Sequence, residues 1–185
     1  MSSFVYNPGT RFLDPQQTLF ETGLVKGQIV SDLGAGSGFY ALGAAQIVGQ
    51  KGQVFVTDIL DSALSNVVSE ARIRNLRNIK TIRTDLEQPE SCKAIPSGTS
   101  DVVVLANVLH QITNRTNLLA EVYRLLKTSG KLLLVEWNDQ PAPIGPVSSD
   151  RLKESAVLDM VQAASLKFVR KLETDRFHYG LIFSK

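Results

Sequence analysis

One cysteine, Cys92, is all the thiol this 185-residue chain carries, so neither an internal disulfide nor a cysteine-built zinc site is available to it. No apolar run approaches the roughly 20 residues of a membrane-spanning helix. The opening MSSFVYNPGTRFLDP lacks the apolar core of a secretory leader. A cytoplasmic, reducing setting is the expectation. Charge of one sign is also missing: 20 basic and 18 acidic residues are mixed along the chain for a net +2, which projects no strong field toward nucleic acid or an anionic membrane. The basic residues from Arg72 to Arg83 come nearest to a cluster, and they read as a solvated helix face and loop rather than a phosphate-reading patch. No internal repeat, low-complexity tract or linker is evident. With 43% apolar and 21% charged residues, the length predicts one globular domain over 1–185, with residues 1–13, which include Pro8 and Gly9, as an extended arm or loop.

What is present is organised around residues 29–40, IVSDLGAGSGFY. An apolar run is broken at Asp32, glycine then recurs at Gly34, Gly36 and Gly38, and an apolar helical pattern follows. Glycine this dense after a strand suits a backbone that turns sharply while a ligand approaches the main chain, because a Cβ there would meet the turn or the ligand. The next helix aims its free N–H groups at the same spot. The loop therefore points to a nucleotide-like cofactor at the carboxyl end of a first parallel strand, without saying which.

Strand and helix alternate through the rest. Asp14-Pro15 reads as an N-cap and a first helical proline, with Gly23 at the helix end. Residues 39–48 form a helix rich in small residues, QVFVTDI a second strand ending on Asp58, and Asp61 caps a helix striped by Leu64, Val67, Val68 and Ala71. IKTIRT (79–84) is a third strand ending on Asp85. SDVVVLAN (100–107) is apolar enough to be buried on both faces of a parallel sheet. Leu118, Val122, Leu125 and Leu126 stripe a helix, TSGKLLLVEW (128–137) is a turn and a fifth strand, and the proline-bearing loop NDQPAPIGP leads to a helix with Leu158, Val161 and Ala164. LKFVRKL (166–172) and FHYGLIFS (177–184) are separated by only four residues, which permits antiparallel neighbours alone. The fold class is α/β: a doubly wound, mostly parallel sheet of Rossmann-like type with an antiparallel C-terminal hairpin strand.

Asp58 lies 22 residues after Gly36, where a carboxylate can accept both hydroxyls of a ribose; it can equally cap the next turn. Asp85, with Leu86, ends the third strand beside the same crevice and can accept from an adenine amine or serve as a turn residue. Asn107, Val108 and His110 lie just past the fourth strand, at the edge where open α/β sheets bind ligands.

Taken in order, DLGAGSG, the strand-ending Asp58, TDLE, SDVVVLANVLHQI, LLAEVYRLLKTSGKLLLVEW and the closing FHYGLIFSK resemble the successive motifs of class I S-adenosylmethionine-dependent methyltransferases. The closing hairpin looks like that family's antiparallel seventh strand. The resemblance spans about residues 20–185, and the chain is most similar to small methyltransferases related to the ubiquinone and menaquinone biosynthesis group. It implies a seven-stranded sheet and S-adenosylmethionine as cofactor. Asp32 and the backbone of Gly34 to Gly38 would hold its amino-acid end and Asp58 its ribose. Ile59 would cover one adenine face, Asp85 would take the exocyclic amine with Leu86 alongside, and Asn107 would lie near the sulfonium. Methyl transfer from a sulfonium is an in-line displacement, so alignment and exclusion of water are the protein's main work.

A base is needed only where the acceptor must lose a proton. His110 is the candidate, since imidazole is poised near neutral pH, against the plainer reading that it hydrogen-bonds a neighbouring loop. Glu136, Trp137, His178 and Tyr179 are candidates for lining a substrate pocket, with core packing and a hydrogen-bonded tip as the competing account of Trp137 and Tyr179. The run Asn107-Val108-Leu109-His110 is not the asparagine-proline-proline-aromatic signature of amino-methylating nucleic-acid enzymes, and a lone Cys92 cannot supply the thiolates that arsenic methylation requires. No metal site is expected. A small organic acceptor is expected instead, methylated at oxygen, nitrogen or carbon. The chain lacks the long N-terminal cap of many relatives, so the pocket is open, or completed by the first ~20 residues or by a second subunit of a homodimer. Two rivals stay open. Gly36-Ser37-Gly38-Phe39-Tyr40-Ala41 satisfies the degenerate fingerprint of NAD(P)-dependent oxidoreductases, and a non-catalytic binding or scaffold protein could keep the fold alone.

Overall fold

The computed structural model describes residues 13–185; the arm expected over residues 1–13 therefore lies, except for Leu13, outside the described residues. Seven strands form one sheet: β1 Ile29–Leu33, β2 Gln53–Asp58, β3 Ile79–Arg83, β4 Ser100–Ala106, β5 Leu126–Trp137, β6 Lys167–Leu172 and β7 His178–Ser184. The order is β3-β2-β1-β4-β5-β7-β6. All pairs from β3 to β5 are parallel, whereas β7 runs antiparallel to both β5 and β6. The antiparallel pairing of β6 with β7 is what their short connection predicts; the place of β7 between β5 and β6 is set by its further pairing with β5.

Five helices cover the sheet: α1 Pro15–Glu21, α2 Phe39–Val48, α3 Asp61–Ile73, α4 Arg115–Leu125 and α5 Glu154–Ala163. Strand periodicity sorts the core into two layers. Val102 and Val104 of β4, Leu133 and Val135 of β5 and Ile182 of β7 pack with Leu19, Ala41, Ala45 and Val67 on the α1–α3 face. Val103, Leu105, Leu132, Leu134, Leu181 and Phe183 pack with Leu118, Val122, Val157 and Val161 on the α4–α5 face. Both faces of β4 and β5 are thus sealed, as their continuous apolar runs require.

Local signals explain most boundaries. Asp14 caps α1, its Oδ1 accepting the N–H of Gln16 at 2.9 Å, and Pro15 takes the first helical position. Two expectations are corrected. Asp61 is the first residue of α3, not its cap; Leu60 holds the cap position with no side-chain cap bond, and its own N–H is taken by Asp58 at 2.9 Å, which closes the turn between β2 and the helix. Leu126 does not extend the stripe of α4. It ends that helix and starts β5, pairing with Ser100 before the register shifts and resumes at Val102 with Lys131.

Candidate active site

The carboxyl ends of β1, β2, β4 and β5 converge on the glycine loop. Gly34, Gly36 and Gly38 all have left-handed φ values, 73°, 51° and 82°. A Cβ on Gly34 would meet Val108 Cγ2 at 2.7 Å, and one on Gly38 would meet Val67 Cγ2 at 2.6 Å. These two glycines let the loop seat against its neighbours. Gly36 differs: none of the described residues lies within 4 Å of its Cβ position, so beyond its backbone angle it leaves room among them for a ligand to come close. The loop is held from β2, with the N–H groups of Gly34 and Ala35 both donating to Thr57 O at 2.9 Å.

Asp58 does two structural jobs at once. Its Oδ2 accepts the Gly36 N–H at 2.9 Å and its Oδ1 the Leu60 N–H at 2.9 Å. A carboxylate has about four lone-pair sites, so one on each oxygen remains for a ribose hydroxyl. Ile59 and Leu60 lie beside it with more than half of their surface in solvent, an apolar platform next to the diol site. Asp85 is held in its own turn, accepting from Glu87 N–H at 3.0 Å and Gln88 Nε2 at 3.3 Å. Leu86 is buried in the core layer of the α4–α5 face. The loop carrying both is tied to the segment after β4, because Glu87 accepts the N–H groups of Thr113 and Asn114.

Asp32 is the site's electrostatic anomaly. Its side chain is 2% exposed. The Ala41 backbone N–H donates to the carboxylate, yet Oδ2 has no partner among the described residues. Burial, reinforced by the charge of Asp58, pushes its pKa up to about 7 against the downward pull of that hydrogen bond. A buried carboxylate oxygen without a donor is costly unless a cation or donor arrives. Tyr40 stands close by, its phenol raised by burial and by the charges of Asp32, Asp175 and Asp14.

Past β4, Asn107 adopts φ 59°, and a single 3-10 turn, Leu109–Gln111, follows. His110 Nδ1 lies 2.8 Å from Glu136 Oε2, and the His110 N–H donates to Oε1 at 3.3 Å. Both side chains are buried, at 8% and 1% exposure, so Glu136 orients the ring through Nδ1 and leaves the other ring nitrogen, Nε2, uncommitted to it. On the opposite face of the sheet, Trp137 and His178 are cross-strand partners whose rings stack at 4.2 Å. His178 bonds Asp175 Oδ1 at 2.8 Å and Asn107 Nδ2 at 3.3 Å. Tyr179 is buried among the residues facing α4 and α5, with its hydroxyl donating to Leu152 O at 3.0 Å; that is core packing with a hydrogen-bonded tip.

The structure thus brings Asp32, Gly34, Gly36, Gly38, Asp58 and Ile59 to one edge, places Asn107, His110, Glu136, Trp137 and His178 along its neighbour, and leaves Leu86 and Tyr179 in the core. Asp175 and Arg151 were missed. The Asp-x-x-His spacing before β7 was a local signal for the first. The second, whose guanidinium lies 5.6 Å from the Trp137 ring and bonds Asn138 O and Pro146 O, had none.

The unpartnered Asp32 oxygen suits an ammonium group, the open space over Gly36 suits the chain that bears it, and Asp58 beside Ile59 suits a ribose and a base. These residues fit an adenosyl amino-acid cofactor. A dinucleotide oxidoreductase shares the glycine fingerprint, but its sheet runs 3-2-1-4-5-6, without the reversed β7 inserted here.

Comparison with known proteins agrees. A family model described as a methyltransferase domain matches residues 24–179. The ubiquinone/menaquinone biosynthesis C-methyltransferase UbiE of Francisella tularensis subsp. novicida is 31% identical over 162 residues, 86% of this chain and 59% of that protein. The protein of the same name from Psychromonas ingrahamii is 34% identical over 120 residues, 63% of this chain and 45% of that one. The chain therefore spans only about half the length of the curated relatives it matches. Among solved structures, a SAM dependent methyltransferase from Aquifex aeolicus superposes with a TM-score of 0.84 at 24% identity, covering 93% of this chain and 89% of that one. An arsenic (III) S-adenosylmethionine methyltransferase from Chlamydomonas reinhardtii gives 0.70 at 20%, covering 94% and 73%. At those identities the likeness is one of fold.

Proposed function

The chain belongs to the methyltransferase-domain family, and on that premise we propose that it transfers the methyl group of S-adenosylmethionine to a ring carbon of a small hydroxylated aromatic acceptor, of the quinone-precursor kind. The buried, unpartnered Oδ2 of Asp32 carries the cofactor half of this reading. The acceptor half is supported by the relatives named as C-methyltransferases and by the His110–Glu136 pair.

S-Adenosylmethionine, when bound, supplies a methyl group already activated on a sulfonium. Asp32 and the glycine loop would hold its amino-acid end, Asp58 its ribose, and Ile59 and Leu60 its base. The acceptor's hydroxyl proton passes to His110 Nε2, Glu136 stabilises the resulting imidazolium, and the phenolate left behind concentrates electron density on its ring carbons. After the new carbon–carbon bond forms, the proton on that ring carbon is lost to water and the His110 imidazolium returns its proton to the acceptor oxygen, which restores the aromatic hydroxyl and the free base. Asn107, Trp137 and His178 would border the acceptor.

A reducing, cytoplasmic setting goes with this proposal, as does a small molecule rather than a nucleic acid as acceptor. No helix among the described residues is long and apolar enough to cross a membrane, and no cluster of potential metal ligands occurs among them. We also propose a single domain over 1–185, its pocket either open or completed by the first ~20 residues or by a second copy of the chain. The test is incubation with methyl-labelled S-adenosylmethionine and a panel of hydroquinones, catechols and amines. Label on a ring carbon of a hydroquinone supports the reading; label only on nitrogen or oxygen overturns the C-methylation, and no transfer to any acceptor favours a binding protein.

A further inference from the structure

The hairpin that closes the sheet ends in a hydrogen-bonded chain to which the proposed reaction assigns no proton or bond. Asp175 Oδ1 accepts the backbone N–H groups of Phe177 and His178, each at 2.9 Å, and also faces His178 Nδ1 at 2.8 Å. A carboxylate pinned by its own turn accepts only, so in the neutral ring the proton sits on Nδ1 and the Nε2 lone pair is free. That lone pair faces Asn107 Nδ2 at 3.3 Å. The ring itself is fixed against Trp137.

Asn107 is equally constrained along its backbone. Its N–H donates to Val135 O at 2.8 Å, and its carbonyl accepts from Gln111 Nε2 at 2.8 Å. With the amide nitrogen committed to His178, the amide oxygen is buried and has no partner among the described residues. An orphaned buried acceptor of this kind is costly unless a donor arrives. Rotating the amide would give the oxygen a partner only if Nε2 carried the proton, and Asp175 holds that proton on the other nitrogen.

We propose that Asp175 and His178 are positioning residues that aim the Asn107 amide oxygen at an O–H or N–H donor on the methyl acceptor. This rests on the methyltransferase reading above and adds a substrate requirement to it. A hydroxyl-bearing acceptor fills the orphaned acceptor site, whereas its O-methylated counterpart leaves it empty. Sites that hydrogen-bond a substrate hydroxyl reject analogues lacking it far more strongly than apolar pockets reject a missing methylene.

The experiment has two readouts. In the ligand-free protein, nitrogen-15 NMR of His178 is expected to show the Nδ1–H tautomer, shifted toward Nε2–H in Asp175→Asn, whose side chain can still accept from the turn but can also donate to the ring. In protein loaded with S-adenosylhomocysteine, calorimetry compares 1,4-naphthalenediol, kept reduced with ascorbate, with 1,4-dimethoxynaphthalene. The wild type should prefer the diol at least tenfold. Asp175→Asn and His178→Phe should reduce that preference at least threefold, the remainder coming from the contact with His110, and His178→Gln, which retains an acceptor for the amide nitrogen, should preserve it. A wild-type proton on Nε2, no wild-type preference for the diol, or an undiminished preference in Asp175→Asn and His178→Phe would each overturn the proposal. Failure of S-adenosylhomocysteine to bind the wild type would instead overturn the methyltransferase reading, and the proposed substrate contact with it, while leaving the tautomer result intact.

Discussion

The Gly36 backbone N–H and the Asp58 carboxylate, 22 residues apart in sequence, lie 2.9 Å from each other. This bond locks the middle of the glycine loop to the end of β2, so the residue assigned to the ribose also shapes the loop assigned to the amino-acid end. Asp58→Ala should therefore have a double effect. Removing the acceptor leaves the Gly36 and Leu60 N–H groups without their partner, costing on the order of 1–3 kcal/mol in stability, and cofactor affinity should fall at least a hundredfold. Denaturant unfolding and calorimetric titration measure the two separately; cofactor affinity within threefold of wild type would refute the ribose assignment.

The three loop glycines should fail in different ways. Gly34→Ala and Gly38→Ala drive a Cβ to 2.7 Å and 2.6 Å from buried valines and should lose about 2–4 kcal/mol of stability, from strain and overpacking together. Gly36→Ala meets none of the described residues and should lose only about 1 kcal/mol for its left-handed backbone. The larger Gly36→Val should fold yet lose cofactor binding, by filling the space the ligand needs. Thermal melts with and without S-adenosylhomocysteine distinguish the cases, since a ligand that binds the native state raises the melting temperature.

How much of this was legible beforehand follows from the range of each signal. The strands could be read because apolar runs and the turn residues between them are local, and Asp14-Pro15 marked α1 for the same reason. Asp61 lost the cap position to Leu60 because Asp58, two residues upstream in a strand, takes the Leu60 N–H and sets the turn before the helix. His110 and Asp58 could be singled out by position after a strand. The partnership of His110 with Glu136 could not, because 26 residues separate them and only the parallel pairing of β4 with β5 brings them together. Asp175 stayed hidden in a polar turn until β7 set His178 against Asn107.

Asp32 makes stability depend on pH in a definite direction. Its pKa is raised from 3.8 to about 7 on folding, so between about pH 4 and pH 7 the native state holds a proton that the unfolded chain has released. Stability from this group is fully present below about pH 4 and declines as the pH rises through 7. Asp32→Asn should consequently stabilise the ligand-free protein at pH 8 by on the order of 1–3 kcal/mol and flatten the dependence, while weakening cofactor binding at least tenfold. Urea titrations at pH 5 and pH 8 give the comparison; a variant that is less stable than wild type at pH 8 would show that Asp32 is not buried at a cost.

His110→Ala should lower turnover by about 10²–10⁴-fold, the range for a lost general base, with S-adenosylmethionine affinity unchanged. Glu136→Gln should retain the ring's position but stabilise the imidazolium less, giving a smaller loss of about 10–100-fold. Single-turnover transfer of labelled methyl to a hydroquinone measures both. Turnover within threefold of wild type in His110→Ala would reduce that histidine to a loop contact.

The measurement that bears most directly on the central claim is calorimetric titration of the purified wild-type protein, side by side, with S-adenosylmethionine, S-adenosylhomocysteine and NADH. Saturable binding of the two adenosyl compounds, stronger at pH 8 than at pH 6 as Asp32 ionises, with no heat from NADH, is the predicted result. Binding of NADH alone, or of none of the three, would contradict it.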